Sequence, residues 1–264
     1  MELSGKTYWL VGASEGLGRA LAKKLDALGV AVVVSARNKA RLTELASEMS
    51  DRTVVLPVDV SDISKVKDAA SKLPEVDGFI YAAGTYTPFS AQDYDAEAAE
   101  MMFEVNLQGA SRVAATQIPV FAKRNKGHVV FIGSLSSYGG LRGSIGYSAS
   151  KAGMKSLAES IQCDLFHTDV KVSLIHPGFI RTRLTDKNDF DMPQIMDPEE
   201  AADLVIKGMQ KRQFEYSFPK PFALLFRASR LFPEWLYFRI FGLTQTSQDA
   251  ADRPDPNGEL SSTS

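Results

Sequence analysis

Cysteine is almost absent from the sequence: Cys163 stands alone among 264 residues. One cysteine cannot form a disulfide within the chain, so a reducing, cytoplasmic environment is expected. The three histidines show no zinc-type spacing with it, and no metal site is predicted. We expect Cys163 to be a small core residue of a helix rather than a reactive thiol.

An excess of charge of one sign is also missing. The 30 lysines and arginines face 32 aspartates and glutamates, and the net charge of −2 gives no reason to expect nucleic acid as a partner. Met1–Gly5 carries neither a basic segment nor a cleavable apolar one, so no N-terminal signal is expected. With 44% hydrophobic and 23% charged residues, the composition is that of a soluble globular protein.

Strand-like and helix-like patterns alternate along the chain. This order predicts an α/β fold, in which a parallel sheet is covered by helices on both faces. The predicted strands are Thr7–Val11, Ala31–Ala36, Thr53–Val58, Gly78–Ala82, His128–Gly133, Lys171–His176 and Glu215–Phe218. The predicted helices are Gly16–Leu28, Lys39–Met49, Ile63–Leu73, Ala96–Lys123, Tyr147–Phe166 and Pro198–Lys211. Of these, Ala96–Lys123 is expected to be one kinked helix or two helices that meet near Gly109.

A glycine-rich turn joins the first strand to the first helix. In Gly12-Ala13-Ser14-Glu15-Gly16-Leu17-Gly18, three glycines permit a tight turn and a close approach of the backbone to a ligand. The free N–H groups at the start of the next helix attract the pyrophosphate of a dinucleotide. A glycine-rich loop without a ligand is the alternative, but the strand–turn–helix context favours a nucleotide site.

Tyr147 and Lys151 are four residues apart in a predicted helix, so their side chains share one face of it. A tyrosine with the ordinary pKa of about 10 transfers protons poorly near neutral pH. A neighbouring ammonium favours the phenolate and lowers that pKa towards the range in which acid–base catalysis works. An isolated pair of this kind is weak support, so its meaning depends on the rest of the chain.

Further motifs follow one another in order along the chain. They are Asp59-Val60, Ala82-Ala83-Gly84, Asn106 in Val105-Asn106-Leu107-Gln108-Gly109, Ser134 thirteen residues before Tyr147, and Pro177-Gly178 followed by Thr182. Together with the glycine turn and the Tyr147–Lys151 pair, they make the chain resemble the short-chain dehydrogenase/reductase family from about Leu3 to Ile206. The resemblance implies a Rossmann-type doubly wound parallel sheet of about seven strands.

The resemblance also implies a catalytic tetrad of Asn106, Ser134, Tyr147 and Lys151. Ser134 would hydrogen-bond the substrate carbonyl, and Tyr147 would exchange a proton with its oxygen. Lys151 would lower the pKa of Tyr147 and hold the nicotinamide ribose. Asn106 would fix a water that links Lys151 to solvent. The implied cofactor-binding residues are Gly12, Ser14, Glu15, Gly16, Leu17, Gly18, Arg37, Asp59, Val60, Ala83, Gly84, Tyr147, Lys151, Pro177, Gly178, Ile180 and Thr182.

The end of the second strand indicates which cofactor binds. An enzyme that prefers NAD places a carboxylate there for the ribose hydroxyls, whereas Val34-Ser35-Ala36-Arg37-Asn38-Lys39 contains no acid. The Arg37 guanidinium can bind the 2′-phosphate of NADP through two parallel hydrogen bonds. A solvated loop charge is the alternative for Arg37, and Glu15 could weaken a phosphate site or orient Arg37. NADP(H) is predicted in preference to NAD.

The substrate is indicated only by apolar residues around the site. By resemblance, Phe179–Glu200 forms a mobile lid that carries Arg181, Arg183, Phe190, Met192, Ile195 and Met196. The four apolar residues among them favour a hydrophobic substrate, although a lid must also pack on the protein. Tyr138, Leu141 and Arg142 are expected to line the pocket, with a solvated loop position as the alternative for Arg142.

Residues 213–246 form an unusual C-terminal extension, in which aromatic residues and leucines are interrupted by four cations. No apolar run there reaches the roughly 18 residues of a membrane-spanning helix. A helical pair over Phe222–Leu243 that lies on a membrane surface is the first interpretation. An oligomer interface and a wall of the substrate pocket are the alternatives. Residues 247–264 are rich in Asp, Pro, Ser and Gly and are expected to be disordered.

Residues 1–212 are therefore predicted to form an NADP-binding domain with the catalytic site, and 213–246 to extend the same domain. The predicted function is reversible, NADP(H)-dependent reduction of a ketone or aldehyde of a hydrophobic substrate. A catalytically silent NADP-binding regulator or scaffold is one alternative, and the complete tetrad argues against it. A lyase or epimerase on the same fold is another. We expect a homo-oligomer, a dimer or tetramer, in the cytoplasm, with or without peripheral membrane contact.

Overall fold

The computed structural model describes residues 2–187, 192–211 and 213–242. The strands in these residues are β1 (Thr7–Val11), β2 (Ala31–Ser35), β3 (Val54–Val55), β4 (Gly78–Tyr81), β5 (Gly127–Ile132), β6 (Val170–Pro177) and β7 (Glu215–Phe218). All neighbours are parallel, and they form one sheet in the order β3-β2-β1-β4-β5-β6-β7. The predicted Rossmann-type sheet of seven strands is confirmed.

Helices surround this sheet. They are α1 (Gly16–Ala27), α2 (Lys39–Ser47), α3 (Ile63–Ser71), α4 (Ala96–Met102), α5 (Gly109–Lys123), α6 (Ile145–Asp164), α7 (Pro198–Gln210), α8 (Lys220–Ala228) and α9 (Glu234–Gly242). A π-helix over Phe103–Gln108 joins α4 to α5, and short 3-10 turns occupy Leu135–Tyr138, Thr185–Lys187 and Ser229–Leu231. The bounds agree with the predicted elements to within a few residues, except at β3 and between α4 and α5.

Separate apolar cores cover the two faces of the sheet, because alternate residues of a strand point to opposite sides. Tyr8 and Leu10 of β1 lie in one core, which includes residues of α1 and α7. Trp9 and Val11 lie in the other, with residues of α3, α5 and α6. A central strand that is buried on both faces is apolar throughout, and this explains the unbroken apolar run of β1.

The third strand is shorter than Thr53–Val58, because only Val54 and Val55 pair regularly with β2. The chain nevertheless continues beside β2. The N–H groups of Leu56 and Val58 donate to the carbonyls of Val34 and Ala36. This looser pairing at the edge of the sheet keeps the chain beside β2 as far as the carboxyl end of that strand, and Asp59 follows there.

Two α-helices lie between β4 and β5, and the second begins at Gly109, in agreement with one of the two predicted alternatives. α4 passes into the π-helix, and α5 follows from Gly109, whose backbone remains helical. The Tyr81 hydroxyl donates to the Val105 carbonyl within the π segment. Gly109 lies so close to β4 that a Cβ there would meet the Tyr81 oxygen at 2.3 Å. π segments occur frequently at functional sites, and this one carries the buried Asn106.

Cys163 lies on the exposed side of α6, so the expectation of a core residue was wrong. The buried side of that helix presents Met154 and Ala158. Cys163 comes five residues after Ala158, and at about 100° per residue its side chain lies about 140° around the helix from that of Ala158. The helical period, read from the buried side, would have placed this cysteine correctly.

The C-terminal extension does contain two helices, α8 and α9. None of the described helices has the length and apolarity needed to cross a membrane. The predicted domain boundary at residue 212, the end of Phe222–Leu243 and the tail over 247–264 lie outside the described residues. Those predictions therefore stay predictions.

Candidate active site

The glycine turn lies at the carboxyl ends of β1 and β4, where the strand order changes direction. Ligands of open α/β sheets bind in the crevice at such a switch point. Gly12 and Gly16 have φ values of 100° and 52°, in the region that favours glycine. A Cβ on Gly12 would lie 2.4 Å from the Ala83 nitrogen, and one on Gly18 would lie 1.9 Å from the Gly12 oxygen. Only glycines permit this turn.

The turn presents the start of α1 to the crevice. Glu15 occupies the N-cap position, and its side chain makes no capping hydrogen bond. The first N–H groups of α1 thus meet no side-chain cap, as a pyrophosphate site requires. The residues present fit a dinucleotide on this observation, with Ser14, Gly16 and Leu17 in the turn itself.

The predicted adenine side of the crevice consists of the segments that follow β2 and β3. Val60 is buried, and Asp59 accepts hydrogen bonds from the Ser61 N–H and hydroxyl at 3.1 and 2.7 Å. Burial opposes the charged form of Asp59, but those hydrogen bonds and the nearby Arg37 and Lys65 hold its pKa below the ordinary value. The sequence-predicted pair of Asp59 and Arg37 therefore lies in one electrostatic neighbourhood.

Glu15 does not orient Arg37. Its carboxylate accepts hydrogen bonds from Arg41 Nη1 at 2.6 Å and from Arg183 Nη1 at 2.7 Å. Arg37 itself is exposed, and no hydrogen bond joins it to another of the described residues. Sequence reasoning missed Arg41, which lies four residues after Arg37 and could have been found from that spacing. The two arginines reduce the repulsion that Glu15 would otherwise exert on a phosphate.

Three of the predicted catalytic side chains converge at the end of β5. Ser134 follows β5, and Tyr147 of α6 is hydrogen-bonded to it. Lys151 Nζ lies 5.7 Å from the centre of the Tyr147 ring and donates to the Ile132 carbonyl at 2.9 Å. The spacing of four residues places both side chains on one face of α6, as the sequence predicted.

Asn106 reaches the same place from the π-helix. Its side chain accepts from the Thr85 N–H at 2.7 Å and donates to the Thr85 carbonyl at 3.0 Å and to Ser150 Oγ at 2.9 Å. A Cβ on Gly84 would lie 3.4 Å from Asn106 Oδ1 and 3.8 Å from Lys151 Nζ, so both side chains approach this glycine. Asn106 joins the segment after β4 to α6, while its predicted role in holding a water stays a prediction.

A cavity of about 380 Å³ opens beside the Ser134 and Tyr147 side chains. Its walls come from the segment after β5, the segment after β6 and the C-terminal extension. The lining residues are Tyr86, Ser134, Leu135, Ser136, Leu141, Arg142, Ser144, Tyr147, Pro177, Gly178, Phe179, Leu184, Thr185, Pro193, Phe222, Leu225, Phe226, Ile240 and Phe241. Leu141 and Arg142 line it as predicted, whereas Tyr138 points elsewhere and hydrogen-bonds Glu215 and Ser217.

The predicted lid only partly faces this cavity. Phe179, Leu184 and Pro193 line it, but Met196 is buried in the core of the sheet. Ile180 and Met196 form an isolated β-bridge that ties the two ends of the segment together. Phe190 lies outside the described residues. A Cβ on Gly16 would lie 2.9 Å from the Thr182 side chain, so the segment also closes over the glycine turn.

A family model described as short chain dehydrogenase matches residues 6–192. The chain belongs to the short-chain dehydrogenase family. It is similar to an uncharacterized oxidoreductase of Myxococcus xanthus, with 32% identity over 244 residues that cover 89% of this chain and 96% of the relative. An uncharacterized oxidoreductase of Staphylococcus epidermidis is 30% identical over 208 residues, which cover 77% of this chain and 90% of the relative. The protein is an oxidoreductase of this family.

Solved structures show the same fold. A short chain dehydrogenase from Burkholderia cenocepacia in complex with NADP has a TM-score of 0.80 and 23% identity, covering 91% of this chain and 99% of its own. A short chain dehydrogenase/reductase from Burkholderia phymatum in complex with NAD has a TM-score of 0.80 and 21% identity, covering 88% and 95%. One neighbour holds each cofactor, so the fold does not decide between NADP and NAD.

Burial controls the charges of the two α6 side chains in this dehydrogenase. It raises the pKa of Tyr147, which the hydrogen bond with Ser134 opposes. It lowers the pKa of Lys151 from 10.5 to about 8. The pKa of Tyr147 is therefore raised and not lowered as expected, because burial disfavours the phenolate by more than the hydrogen bond with Ser134 favours it.

The lowered pKa of Lys151 predicts a pH-dependent difference in stability between the wild type and Lys151→Met. Between pH 8 and 10.5 the folded lysine has lost its proton while the unfolded lysine retains it. The unfolded state then binds more protons, so the wild-type free energy of unfolding should rise with pH relative to the variant. The total change should be on the order of 3 kcal/mol.

Urea unfolding at several pH values measures this difference. Burial also lowers the pKa of Lys171 to about 8, but Lys171 is present in both proteins and its contribution cancels. Parallel pH curves for the two proteins across the window would contradict a buried, easily deprotonated Lys151.

Proposed function

We propose that this protein is an NADPH-dependent carbonyl reductase that converts a ketone or aldehyde of a hydrophobic substrate to the alcohol. The observation that carries the proposal is the position of the hydrogen-bonded Ser134 and Tyr147 side chains on the wall of a cavity with mostly apolar lining. Such a cavity orients an apolar molecule through a few polar groups. Those polar groups are the ones that carbonyl reduction uses.

The chemistry follows from these side chains. Ser134 donates a hydrogen bond to the carbonyl oxygen and holds it beside Tyr147. The Tyr147 hydroxyl transfers its proton to that oxygen as negative charge develops there, and its raised pKa keeps this proton in place at neutral pH. Bound NADPH supplies the hydride that reduces the carbonyl carbon. Lys151 lies within the same buried site, where its Nζ donates a hydrogen bond to the Ile132 carbonyl.

The alternative of a catalytically silent scaffold is disfavoured by the buried polar contacts. Asn106 and Lys151 are both buried, and each makes the hydrogen bonds described above. A buried ammonium is costly to keep, since desolvation opposes its charge. A protein that only bound nucleotide would still use Lys151 for the ribose, but it would have no need for Ser134 on the wall of the cavity beside Tyr147.

Tyr147→Phe removes the transferable proton and keeps the ring. Turnover of ketones and aldehydes should fall by about 10²–10⁴-fold, the usual contribution of general acid–base catalysis. NADPH oxidation is followed by its absorbance across a panel of apolar carbonyl compounds, and NADPH binding by fluorescence titration. Tyr94→Phe is the matched control, because Tyr94 is 55% exposed and does not line the cavity. Turnover of Tyr147→Phe within a few fold of wild type would exclude Tyr147 as the acid.

NADPH is the proposed cofactor because of the cations after β2. Arg37 is exposed and lies near Asp59, while Arg41 forms an ion pair with Glu15. A guanidinium without another partner retains all its donors for a phosphate. NAD has no 2′-phosphate to accept those donors, so the preference should depend on Arg37.

Arg37→Ala should weaken NADPH binding by about 1.5–3 kcal/mol, the range for hydrogen bonds to charged groups. NADH binding should change little, and both affinities are measured by fluorescence titration. Arg52→Ala removes the same charge from an exposed site where Arg52 pairs with Asp26, and serves as the control. Equal losses for NADPH and NADH in Arg37→Ala would show that Arg37 does not read the 2′-phosphate.

The proposal includes peripheral contact with an anionic membrane through the outer face of α8 and α9. This outer face comprises Leu224, Leu231, Trp235 and Phe238, whose exposed fractions lie between 67% and 86%. The inner side of the same helices lines the cavity through Phe226 and other residues. An apolar substrate could thus pass from lipid to the cavity along one pair of helices.

The charges around the outer face favour anionic lipid over a neutral apolar partner. The exposed cations are Lys220, Arg227, Arg230 and Arg239, whereas Glu234 is the acid of these two helices. Leu225 and Ile240, both 42% exposed, also line the cavity and connect it with the outer face. Aromatic residues beside cations are typical of helices that lie in a membrane interface.

Flotation with phosphatidylserine-containing vesicles tests this contact. The wild type should float, and binding should weaken with salt because Coulombic attraction is screened within about 10 Å at 0.1 M. Trp235→Ser with Phe238→Ser should abolish flotation and leave NADPH binding intact. Phe166→Ser is the control, because Phe166 is 70% exposed at the end of α6. Absent flotation, with an oligomer that the double variant loses, would assign the outer face to a second copy of the chain.

A further inference from the structure

His176, at the end of β6, lies against the backbone of the catalytic serine. Its Nδ1 is 2.8 Å from the Ser134 carbonyl oxygen and 3.2 Å from the Ser134 nitrogen. The ring is fully buried. It rests on Gly133, where an added Cβ would meet Nδ1 at 2.6 Å. A side chain at position 133 would collide with the imidazole, so this contact requires the glycine before Ser134.

The other side of the imidazole meets a carboxylate from β7. His176 Nε2 lies 2.9 Å from Glu215 Oε1, although the N–H bond is not aligned with that oxygen. The Tyr138 hydroxyl donates to the same carboxylate at 3.0 Å, and the Tyr138 ring lies 5.0 Å from the imidazole ring. Arg227 of α8 approaches the second carboxylate oxygen at 3.7 Å.

This carboxylate is ionised at neutral pH. Burial works against its charge, but His176, Tyr138 and Arg227 outweigh burial and hold the pKa of Glu215 below its ordinary value. An ionised Glu215 favours a proton on the facing Nε2. Nδ1 accepts from the Ser134 N–H when it carries no hydrogen and donates to the Ser134 carbonyl when it carries one. Both forms attach the imidazole to the serine backbone.

Ser134 is thus restrained from two sides. Its hydroxyl oxygen accepts hydrogen bonds from the Ser136 N–H at 3.2 Å and the Ser136 hydroxyl at 3.0 Å, while His176 contacts its backbone from behind. The serine has extended φ and ψ of −163° and 158° and stands directly before the 3-10 turn. A change in the direction of its peptide groups would redirect the hydroxyl away from Tyr147.

We infer that His176, oriented by Glu215, is a positioning residue that sets the direction of the Ser134 hydroxyl towards the substrate carbonyl. The inference rests on the proposed carbonyl reduction. His176 touches neither the cavity nor Tyr147 in the contacts described, so it acts through Ser134. Orientation of a reacting group contributes to rate even when the group that orients it is remote from the chemistry.

A double-mutant cycle with kcat/KM as the readout tests the inference. His176→Ala should lower kcat/KM by about 10-fold or more in the wild-type background and have little effect when Ser134→Ala is already present. His176→Asn should lose less kcat/KM than His176→Ala, because the asparagine amide lies near the position that Nδ1 of His176 has in the wild type. Glu215→Gln should give a smaller loss of the same kind. NADPH affinity should stay unchanged in all of them.

His128→Ala provides the matched control. His128 is equally buried in the neighbouring strand β5, where it joins Tyr8 to Ser173, far from the serine. This variant should lose stability and keep its kcat/KM per folded molecule. A loss of similar size from His176→Ala in both serine backgrounds, or the same loss from His128→Ala, would overturn the inference and indicate a general structural role.

The crystal structure of the His176→Ala variant gives a readout that does not depend on turnover. The inference expects the Ser134 hydroxyl to leave Tyr147, and an unmoved Ser134 would overturn it. If the wild type reduces no carbonyl compound at all, the proposed function fails. A displaced Ser134 in the crystal would then still establish that His176 positions the serine.

Discussion

The active site depends on parallel strands that end at one edge of the sheet. β1, β4, β5 and β6 run in the same direction, so the glycine turn, Gly84, Ser134 and Pro177 all emerge at their carboxyl ends. The contact between Gly12 and the backbone at Ala83 leaves no space for a Cβ, and it brings the first and fourth strand ends together. This approach packs the glycine turn against the segment that leads from β4 to Gly84.

Burial then decides how Tyr147 and Lys151 ionise. The interior that closes around Tyr147 and Lys151 raises the pKa of the phenol and lowers that of the ammonium. Each shift favours the neutral form, as a poorly solvated site requires. The protein therefore keeps a proton on the tyrosine near neutral pH, while the lysine lies within reach of deprotonation. Their proximity alone would suggest the opposite effect on the tyrosine.

The C-terminal extension is joined to the segment that carries Ser134. Arg230 donates to the Tyr138 carbonyl at 3.0 Å, and the Tyr237 hydroxyl donates to the Gly140 carbonyl at 2.6 Å. Arg227 approaches Glu215, which faces His176. The helices that wall the cavity and the residues behind Ser134 thus form one connected group.

The sequence by itself determined what depends on short spacings. The glycine turn, the four-residue step from Tyr147 to Lys151 and most strand positions follow from local backbone geometry and from period-two or period-3.6 patterns. The parallel sheet also follows, because alternating strands and helices have few other solutions. The positions of Asn106 and Ser134 came from the resemblance to the family, and the structure brings both side chains close to Tyr147 and Lys151.

Only the tertiary structure decided the rest, because those features join residues that are distant in the chain. Arg183 meets Glu15 across 168 positions, and His176 meets Ser134 across 42. The shift in the Tyr147 pKa depends on surroundings that no local pattern encodes. The same holds for Tyr138, which lies near Ser134 in sequence yet turns to β7. Contact and desolvation are properties of the packed chain, and spacing along the sequence does not specify them.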